Sequence, residues 1–354
     1  MKNYERRENM GNPFTLTFGK KPTEYITRRE DIDTVKNAFL EEPARCQTYL
    51  IRGVRGSGKT VLMTALAKEF ADNSDWICVD LNSSQNLLDD LSYRLTDACK
   101  LTSDLFDRGM DLSVAGFGIG FGSKGERDSV SRCETILADL KKHNKKLLIT
   151  IDEVYNSQSM RQFASQFQIW IRKEYPIFLL MTGLYENINA IQNAPQLTFL
   201  LRSPKLTLKP LGMSQICRQY EAALDVPLET AMQLAKQTKG YAFAFQALGM
   251  IYFDSKKKSP SIDDSLKILD EYLDEYVYNK IWSSLSEQDR NIVLQLSDDR
   301  AVRVKEICDA IDMSSSSFSK YRERLMNKGL ITTKQHGYVE LALPRFRSIC
   351  EYYI

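Results

Sequence analysis

The sequence predicts an α/β fold in which a parallel sheet is followed by a helical segment and a small C-terminal domain. Three observations support this prediction. Strand and helix patterns alternate over residues 24–212. Helical patterns without strands fill residues 213–280, and residues 281–354 return to short helices followed by two strands. With 354 residues, the chain is long enough for two or three domains.

The composition is that of an ordinary globular protein, with 43% hydrophobic and 27% charged residues. Apolar runs such as Ile177–Met181 have the length of a strand and are far too short for a membrane span. The N-terminus lacks the apolar segment of a secretory signal, and the seven cysteines show no metal-like spacing. His143 and His336 lie far apart, which argues against a zinc site. We expect a cytoplasmic protein with reduced cysteines.

The chain begins with an arm, residues 1–23, which is expected to be extended on the surface. Its Asn12-Pro13-Phe14 segment and its residues 18–22 are punctuated by proline and glycine. The apolar spacing of Ile32, Val35, Phe39 and Leu40 then predicts a helix, and the run Thr48–Ile51 predicts the first strand of the sheet.

Residues Gly53 to Thr60 read GVRGSGKT, a complete match to G-x-x-x-x-G-K-S/T. The match lies between the strand Thr48–Ile51 and a helical pattern at Val61–Phe70, the context in which this motif cradles phosphate. Its glycines let backbone N–H groups converge on an anion at a helix N-terminus. Lys59 would reach the β- and γ-phosphates, and the hydroxyl of Thr60 would bind Mg²⁺. The alternative, a tight turn with a surface lysine, is disfavoured by the length and context of the motif.

An acidic pair follows a second strand, about ninety residues downstream. The apolar, β-branched run Leu147–Ile151 is typical of a strand buried on both faces of a parallel sheet, and it ends in Asp152-Glu153. Asp152 can hold the magnesium ion through its water shell, and Glu153 can polarise the water that attacks the γ-phosphate. The residues predicted to bind nucleotide are therefore Gly53, Val54, Arg55, Gly56, Ser57, Gly58, Lys59, Thr60, Val61 and Asp152, with Thr60 and Asp152 at the metal.

The remaining elements of the sheet follow in order. Strands are predicted at Trp76–Leu81 and Phe178–Met181, the latter ending at Thr182, and a helix at Asp128–Leu140. The glycine-rich segment Asp111–Ser123 alternates small residues with apolar ones, which fits a β-hairpin. Because no helix begins there, a dinucleotide-binding loop is a poor interpretation.

The C-terminal segment predicts a winged helix-turn-helix. Its third helix would place Phe318, Tyr321 and Leu325 toward the core. Since the net charge is only +2, nucleic-acid binding would have to come from a local patch. A protein-binding or packing role is the alternative for this module.

The predicted helices of this segment are Ser286–Leu296, Val304–Ile311 and Ser314–Asn327, and the strands are Leu330–Lys334 and Tyr338–Leu343. The candidate DNA contacts are Ser316, Ser317, Lys320 and Arg324 on the third helix, with Lys334 and His336 on the wing.

With a phosphate loop, an acidic strand, a helical lid and a winged helix in this order, nearly the whole chain resembles the AAA+-related ATPases of bacteria and archaea, particularly archaeal ATPases and origin-recognition initiators. The resemblance implies ATP and Mg²⁺ as ligands, with adenine contacts near Tyr25 to Arg29. It also implies that Thr182 senses the γ-phosphate and that Arg202 is an arginine finger. The segment Lys239–Gln246 is similar to the family's glycine-centred lid motif and carries no arginine there, which favours slow turnover.

We therefore expect an ATP-binding AAA+-type ATPase, with Glu153, Thr182 and Arg202 as catalytic residues, whose slow Mg²⁺-dependent hydrolysis switches a DNA-binding winged helix. The alternative is an ATP-controlled signalling or scaffold protein whose winged helix binds protein, with self-assembly as one form of such contacts. A kinase for a small substrate is a weaker hypothesis, because the sequence shows no acceptor pocket.

Overall fold

The structure, a computed structural model, describes residues 11–17, 23–102, 126–195, 197–255 and 261–353. The predicted hairpin at 111–123 and residues 18–22 of the arm lie outside this range. The chain divides into two compact units. We call Arg28–Arg52 with Lys59–Thr207 the sheet unit. We call Met1–Thr27, Gly53–Gly58 and Leu208–Ile354, as far as they are described, the lid unit.

The sheet unit is built from alternating strands and helices, as the sequence predicts. Its elements are α1 (Arg29–Leu40), β1 (Thr48–Arg52), α2 (Lys59–Ala71), β2 (Trp76–Leu81), α3 (Leu87–Thr102), α4 (Glu126–Lys142), β3 (Lys146–Ile151), α5 (Gln158–Arg172), β4 (Ile177–Gly183), α6 (Tyr185–Gln192), a 3-10 helix (Thr198–Arg202) and β5 (Lys205–Thr207).

The five strands form one parallel sheet in the order β2-β3-β4-β1-β5. Strand β4 is buried along its whole length, and β3 is buried from Leu147 to Ile151, because helices cover both faces. In register, Ile51 pairs with Thr182 and Ile151 pairs with Met181. The parallel α/β architecture predicted from the sequence is thus confirmed, and it brings the carboxyl ends of β1, β3 and β4 to one edge.

Large apolar side chains fill the sheet unit on both faces of the sheet. One face carries an aromatic cluster in which the Phe39 and Phe178 rings are 5.1 Å apart and the Phe70 and Trp76 rings are 4.4 Å apart. Ser157 caps the N-terminus of α5, because its hydroxyl accepts a 3.0 Å hydrogen bond from the Met160 N–H, and the helix buries Trp170 completely. This packing fixes the strands that carry the candidate site.

The lid unit is mainly helical. Its elements are α7 (Met213–Leu224), α8 (Leu228–Thr238), α9 (Ala242–Ser255), α10 (Ile262–Leu273), a π-helical turn (Asp274–Tyr278), α11 (Asn279–Ser283), α12 (Glu287–Leu294), β6 (Val302–Arg303), α13 (Val304–Ala310), α14 (Ser315–Asn327), β7 (Ile331–Thr332), β8 (Tyr338–Leu341), α15 (Phe346–Cys350) and a final 3-10 turn (Glu351–Tyr353).

The C-terminal part of the lid unit contains a three-stranded antiparallel sheet in the order β6-β8-β7, packed with α12, α13 and α14. Ser286 and Asp289 form a capping box at the start of α12. Phe318 and Leu325 on α14 are fully buried, as predicted, whereas Tyr321 is half-buried. The predicted helix boundaries here agree with the structure to within about two residues, the scatter expected between assignments.

One hydrophobic core runs through the whole lid unit and joins the helical segment to the C-terminal segment. The Tyr278 hydroxyl donates a 2.6 Å hydrogen bond to the Pro344 carbonyl, and the Tyr278 ring meets the Phe346 ring edge-on at 4.8 Å. Arg345 forms an ion pair with Asp270 of α10. The segments 213–280 and 281–353, expected as separate domains, therefore share a continuous interior.

The structure corrects the expectation that the arm lies on the surface. Phe14 is 1% exposed and packs against the rings of Tyr220 and Phe245, at centroid distances of 5.8 and 5.7 Å. The Asn12 side-chain amide donates to the Met250 carbonyl at 3.0 Å. Of the described part of the arm, Pro13 and Phe14 are buried, and the Phe14 ring packs beside α9 because the lid offers it an apolar site. Within the described ranges, no helix is long and apolar enough to cross a membrane.

Candidate functional site

Three predicted residues of the sheet unit form one hydrogen-bonded set at the carboxyl ends of its strands. The hydroxyl of Thr60, in the first turn of α2, donates to Asp152 Oδ2 at 2.7 Å. The hydroxyl of Thr182, near the end of β4, donates to Asp152 Oδ1. Because Thr182 is fully buried and Asp152 is half-buried, the carboxylate is held in a fixed orientation. One carboxylate beside one hydroxyl is the donor set that Mg²⁺ uses together with phosphate oxygens.

Glu153 is held by the same set through its backbone. Its N–H donates to Asp152 Oδ1 at 3.0 Å and to Thr182 Oγ1 at 3.2 Å. Its φ of +50° lies in the left-handed region, which costs a non-glycine residue on the order of 1 kcal/mol. The side chain is exposed, so its carboxylate is accessible to water. Strained backbone of this kind is common where a side chain must be aimed for a function.

Lys59 and Thr60 begin α2 directly after the phosphate loop. Lys59 is 8% exposed and lies at the first position of the helix, and Val61 is half-buried behind it. Burying a lysine side chain at the N-terminus of a helix costs desolvation energy, because the charged group loses contact with water. The position differs from the exposed lysine of an ordinary surface turn.

Within the lid unit, the phosphate loop makes a tight turn. The Ser57 N–H donates to the Val54 carbonyl at 3.2 Å, and Gly56, the third residue of this turn, has φ +73°. Gly58 follows with φ +90°. These positive φ values require glycine, as the motif predicts. The loop residues Gly53, Val54, Gly56 and Gly58 are half-buried, Ser57 is buried and Arg55 is exposed.

The lid holds this turn through two hydrogen bonds to consecutive carbonyls. The Tyr241 hydroxyl donates to the Arg55 carbonyl at 2.6 Å, and the Phe243 N–H donates to the Gly56 carbonyl at 3.0 Å. Burial raises the pKa of the Tyr241 phenol, which therefore stays protonated and remains a donor. Sequence reasoning placed Tyr241 in a lid motif but did not assign it to the loop. The partners are 186 positions apart in the sequence, which leaves no local signal for the contact.

The other predicted site residues have varied surroundings. Arg202 is exposed at the end of the 3-10 helix, and the adjacent Leu201 is 48% exposed. Near the predicted adenine contacts, burial lowers the pKa of Arg28, whose guanidinium lies 3.8 Å from Asp31.

The candidate DNA contacts Ser316, Ser317 and Lys320 are exposed on α14. On the predicted wing, His336 is exposed, and Lys334 forms a 2.6 Å ion pair with Glu340.

Arg324 was expected to point outward from α14, and the structure places it in a contact inside the domain. Its guanidinium donates to Asp289 Oδ1 at 2.6 Å and to the Ser286 hydroxyl at 2.9 Å. It also lies 4.8 Å from the centre of the Tyr321 ring. The Asp289 side chain is 2% exposed and that of Arg324 is 41% exposed. A buried carboxylate needs a cationic partner, and Arg324 supplies it.

Comparisons with known proteins place the fold. A family model described as "Domain of unknown function (DUF8462)" matches residues 275–348. No match is found among the curated proteins.

Solved structures match over nearly the whole chain. The Walker-type ATPase of Pyrococcus abyssi is 14% identical, with a TM-score of 0.65 over 96% of this chain and 99% of the other. The ORC2 protein of Aeropyrum pernix, solved as ADPNP-ADP complexes, is 16% identical, with a TM-score of 0.56 over 95% and 96%. Cdc6p of Pyrobaculum aerophilum is 12% identical, with a TM-score of 0.52 over 96% of each chain. At these identities the likeness establishes the architecture alone: the chain has the ORC/Cdc6-like AAA+ fold.

Proposed function

We propose that this chain is an AAA+-type ATPase that binds ATP with Mg²⁺ and hydrolyses it slowly. The hydrogen-bonded set of Thr60, Asp152 and Thr182 is the observation that carries the proposal. It joins the last residue of the phosphate-loop motif to the acidic end of a neighbouring strand, as a metal–phosphate site requires. The likeness in fold to an ORC2 protein solved as ADPNP-ADP complexes supports the same ligand class.

Each side chain of the site has a role in this proposal. Lys59 binds the β- and γ-phosphates, while Thr60 and Asp152 hold Mg²⁺ directly or through its waters. The exposed carboxylate of Glu153 orients and polarises the attacking water. The Thr182 hydroxyl detects the γ-phosphate, and it is tied to the metal-binding carboxylate. Arg202 is an arginine finger, whose exposed position suits a γ-phosphate presented by a second copy of the chain.

Replacing the phosphate-loop lysine tests ATP binding. Lys59→Ala should abolish calorimetrically detectable binding of Mg-ATP, because it removes the charge that contacts two phosphates. Lys68→Ala is the matched control: it lies on the same helix, α2, and is exposed in the last turn. Micromolar binding retained by Lys59→Ala, or an equal loss in Lys68→Ala, would contradict the proposed site.

We also propose that residues 281–354 form a winged helix that binds duplex DNA. The order α12, β6, α13, α14, β7 and β8, with its three-stranded sheet, supports this assignment. The exposed surface of α14 carries Ser316, Ser317 and Lys320, groups suited to phosphates and base edges. Residues 1–23, 24–212 and 213–280 would then be the arm, the ATPase core and the lid.

The DNA proposal is best tested at Lys320, because Arg324 is engaged in the pair with Asp289. Lys320→Ala should weaken duplex binding uniformly across sequences and reduce the slope of log K against log salt by about 1. Its folding should be unchanged, since the side chain is exposed. Duplex binding that is undetectable in the wild-type chain, or unchanged in Lys320→Ala, would favour a different role for α14.

One observation favours a second function, that of an ATP-controlled signalling or scaffold protein. The C-terminal segment is joined to the lid by the Tyr278–Pro344 hydrogen bond and the Arg345–Asp270 ion pair. A winged helix packed in this way can transmit the nucleotide state to a bound protein as well as to DNA. A change in oligomeric state between ATP and ADP, with no duplex binding, would support this alternative.

We place the protein in the cytoplasm. None of the seven cysteines, all of which lie in the described ranges, forms a disulfide, and five of them are buried. Burial raises the pKa of Cys133 to about 12, with a smaller opposing effect from a hydrogen bond to Ser92. Cysteines that form no disulfide are typical of a reducing compartment. Fractionation of the cells that make the protein tests this placement, and recovery with secreted proteins would contradict it.

A further inference from the structure

The turn at Val54–Ser57 has two possible orientations for its central peptide. In a four-residue turn closed by the hydrogen bond from Ser57 N–H to the Val54 carbonyl, the central peptide joins Arg55 to Gly56. Type I and type II turns differ mainly in the direction of this peptide. Between the two types, the ψ of the second turn residue and the φ of the third each change by about 150–170°. The φ of +73° at Gly56 is that of a type II turn. Because glycine tolerates both turn types, the conformational preference of Gly56 does not select one of them.

A contact from the lid selects the orientation. The Tyr241 hydroxyl donates to the carbonyl of this central peptide at 2.6 Å. In a trans peptide the carbonyl and the N–H point in opposite directions, so fixing the Arg55 carbonyl toward Tyr241 turns the Gly56 N–H away from it. The Phe243 N–H holds the next carbonyl, that of Gly56, at 3.0 Å. The lid therefore determines where the loop presents an N–H group to an anion.

Tyr241 is rigid enough to do this. The residue is 4% exposed, and its ring stacks on that of Tyr278 at 6.4 Å and 23°. Tyr278 is itself fixed by its hydrogen bond to Pro344. Because the phenol has a single rotatable donor on a packed ring, its hydrogen bond to the loop loses little side-chain entropy.

We propose that Tyr241 is a positioning residue for nucleotide binding: its hydroxyl holds the Arg55–Gly56 peptide so that the Gly56 N–H faces the phosphates. This inference rests on the proposed ATP binding and adds a residue, on the lid, that sets the affinity of the loop. The lid lacks an arginine in its glycine-centred motif, and Tyr241 acts on the loop backbone instead of on the nucleotide.

Tyr241→Phe tests the role, since it removes the hydroxyl and keeps the ring. A hydrogen bond of this kind contributes enough to weaken Mg-ATP and Mg-ADP binding about three- to tenfold when it is lost. The KM for ATP should rise by a similar factor while kcat stays within about twofold, because the loss affects substrate and transition state equally. Both are measured on the full chain, by calorimetry and by phosphate release.

Tyr220→Phe is the matched control. Its hydroxyl donates to the Phe245 carbonyl at 2.7 Å, and Tyr220 is fully buried in the same unit. It should lower the melting temperature about as much as Tyr241→Phe, with no change in ATP affinity. Unchanged affinity in Tyr241→Phe, or an equal fall in Tyr220→Phe, would overturn the positioning role. If the wild-type chain binds no ATP at all, the proposed function itself fails, which is a separate outcome.

Discussion

The hydroxyl of Thr60 lies 2.7 Å from Asp152 Oδ2, although the two residues are 92 positions apart in the sequence. The parallel sheet explains this proximity. Strands β1 and β3 flank β4, and the residues that follow them reach the same edge. Since Thr182 holds the other oxygen of the carboxylate, the orientation of Asp152 depends on both neighbouring segments.

Asp152→Asn should weaken Mg-ATP binding about 10- to 100-fold, the range found when residues that hold or orient a metal are changed. The substitution keeps the shape and removes the charge that faces Mg²⁺. Calorimetric titrations of ATP with and without magnesium separate the two effects: affinity without magnesium should change little.

Asp75→Asn is the control for Asp152→Asn. Asp75 precedes β2, at the opposite edge of the sheet, and its side chain is 62% exposed. The two variants change the net charge equally. Equal losses of Mg-ATP affinity in both would indicate a general electrostatic effect and remove Asp152 from the metal site.

Glu153→Gln should keep ATP bound and reduce phosphate release about 100-fold or more, the usual contribution of a general base. Glutamine preserves the size of the side chain and the left-handed backbone, but it cannot accept a proton from water. Glu174 offers a matched control, because it is also exposed with a positive φ, and it precedes β4 at the other edge of the sheet. Normal phosphate release in Glu153→Gln, measured in single turnovers, would exclude Glu153 from the mechanism.

Much of the sheet unit could be predicted because its signals are local. The strand Leu147–Ile151 is a continuous apolar run, and the parallel architecture then implies that Asp152 reaches the same edge as Thr60. The glycines of the phosphate loop are likewise required by the backbone at their own positions.

Other features depend on partners distant in the sequence, and a local pattern does not reveal them. Phe14 lies in a stretch with proline and few apolar neighbours, but α9 and α7 provide it with a buried site. Arg324 occupies an outward position by helical spacing, and the buried carboxylate of Asp289, 35 residues earlier, holds it in place. In both cases tertiary contacts decide the environment of the side chain.

The half-buried thiol of Cys78 and the buried thiol of Cys99 should make the protein less stable in alkaline solution. Burial raises the pKa of Cys78 to about 12, above its ordinary value near 9.0, with a smaller contribution from Asp80. Burial likewise raises the pKa of Cys99 to about 11. As pH rises above about 9, the unfolded chain loses thiol protons before the folded chain does, so the free energy of unfolding falls until the folded groups also ionise.

Urea denaturation at several pH values between about 8 and 11 measures this effect. The unfolding free energy should be constant near pH 8 and decrease above about pH 9. Cys78→Ala removes one of the raised groups and should make the decrease shallower. A free energy of unfolding that stays constant or increases over this range would contradict the thiol environments described above.

Gly249→Ala should destabilise the protein, although the same change in an exposed helix gains about 1 kcal/mol. Gly249 is buried in α9, and a Cβ there would lie 2.6–2.8 Å from atoms of the Phe14 ring. Phe14 is 1% exposed and cannot move away without disturbing Tyr220 and Phe245. We expect the free energy of unfolding to fall by about 1–3 kcal/mol, which is typical of overpacking in a core.

A double-mutant cycle with Phe14→Ala, measured by urea denaturation, isolates the contact. Once the Phe14 ring is removed, Gly249→Ala should no longer destabilise the protein. A cost that persists in the Phe14→Ala background would place the strain elsewhere in α9.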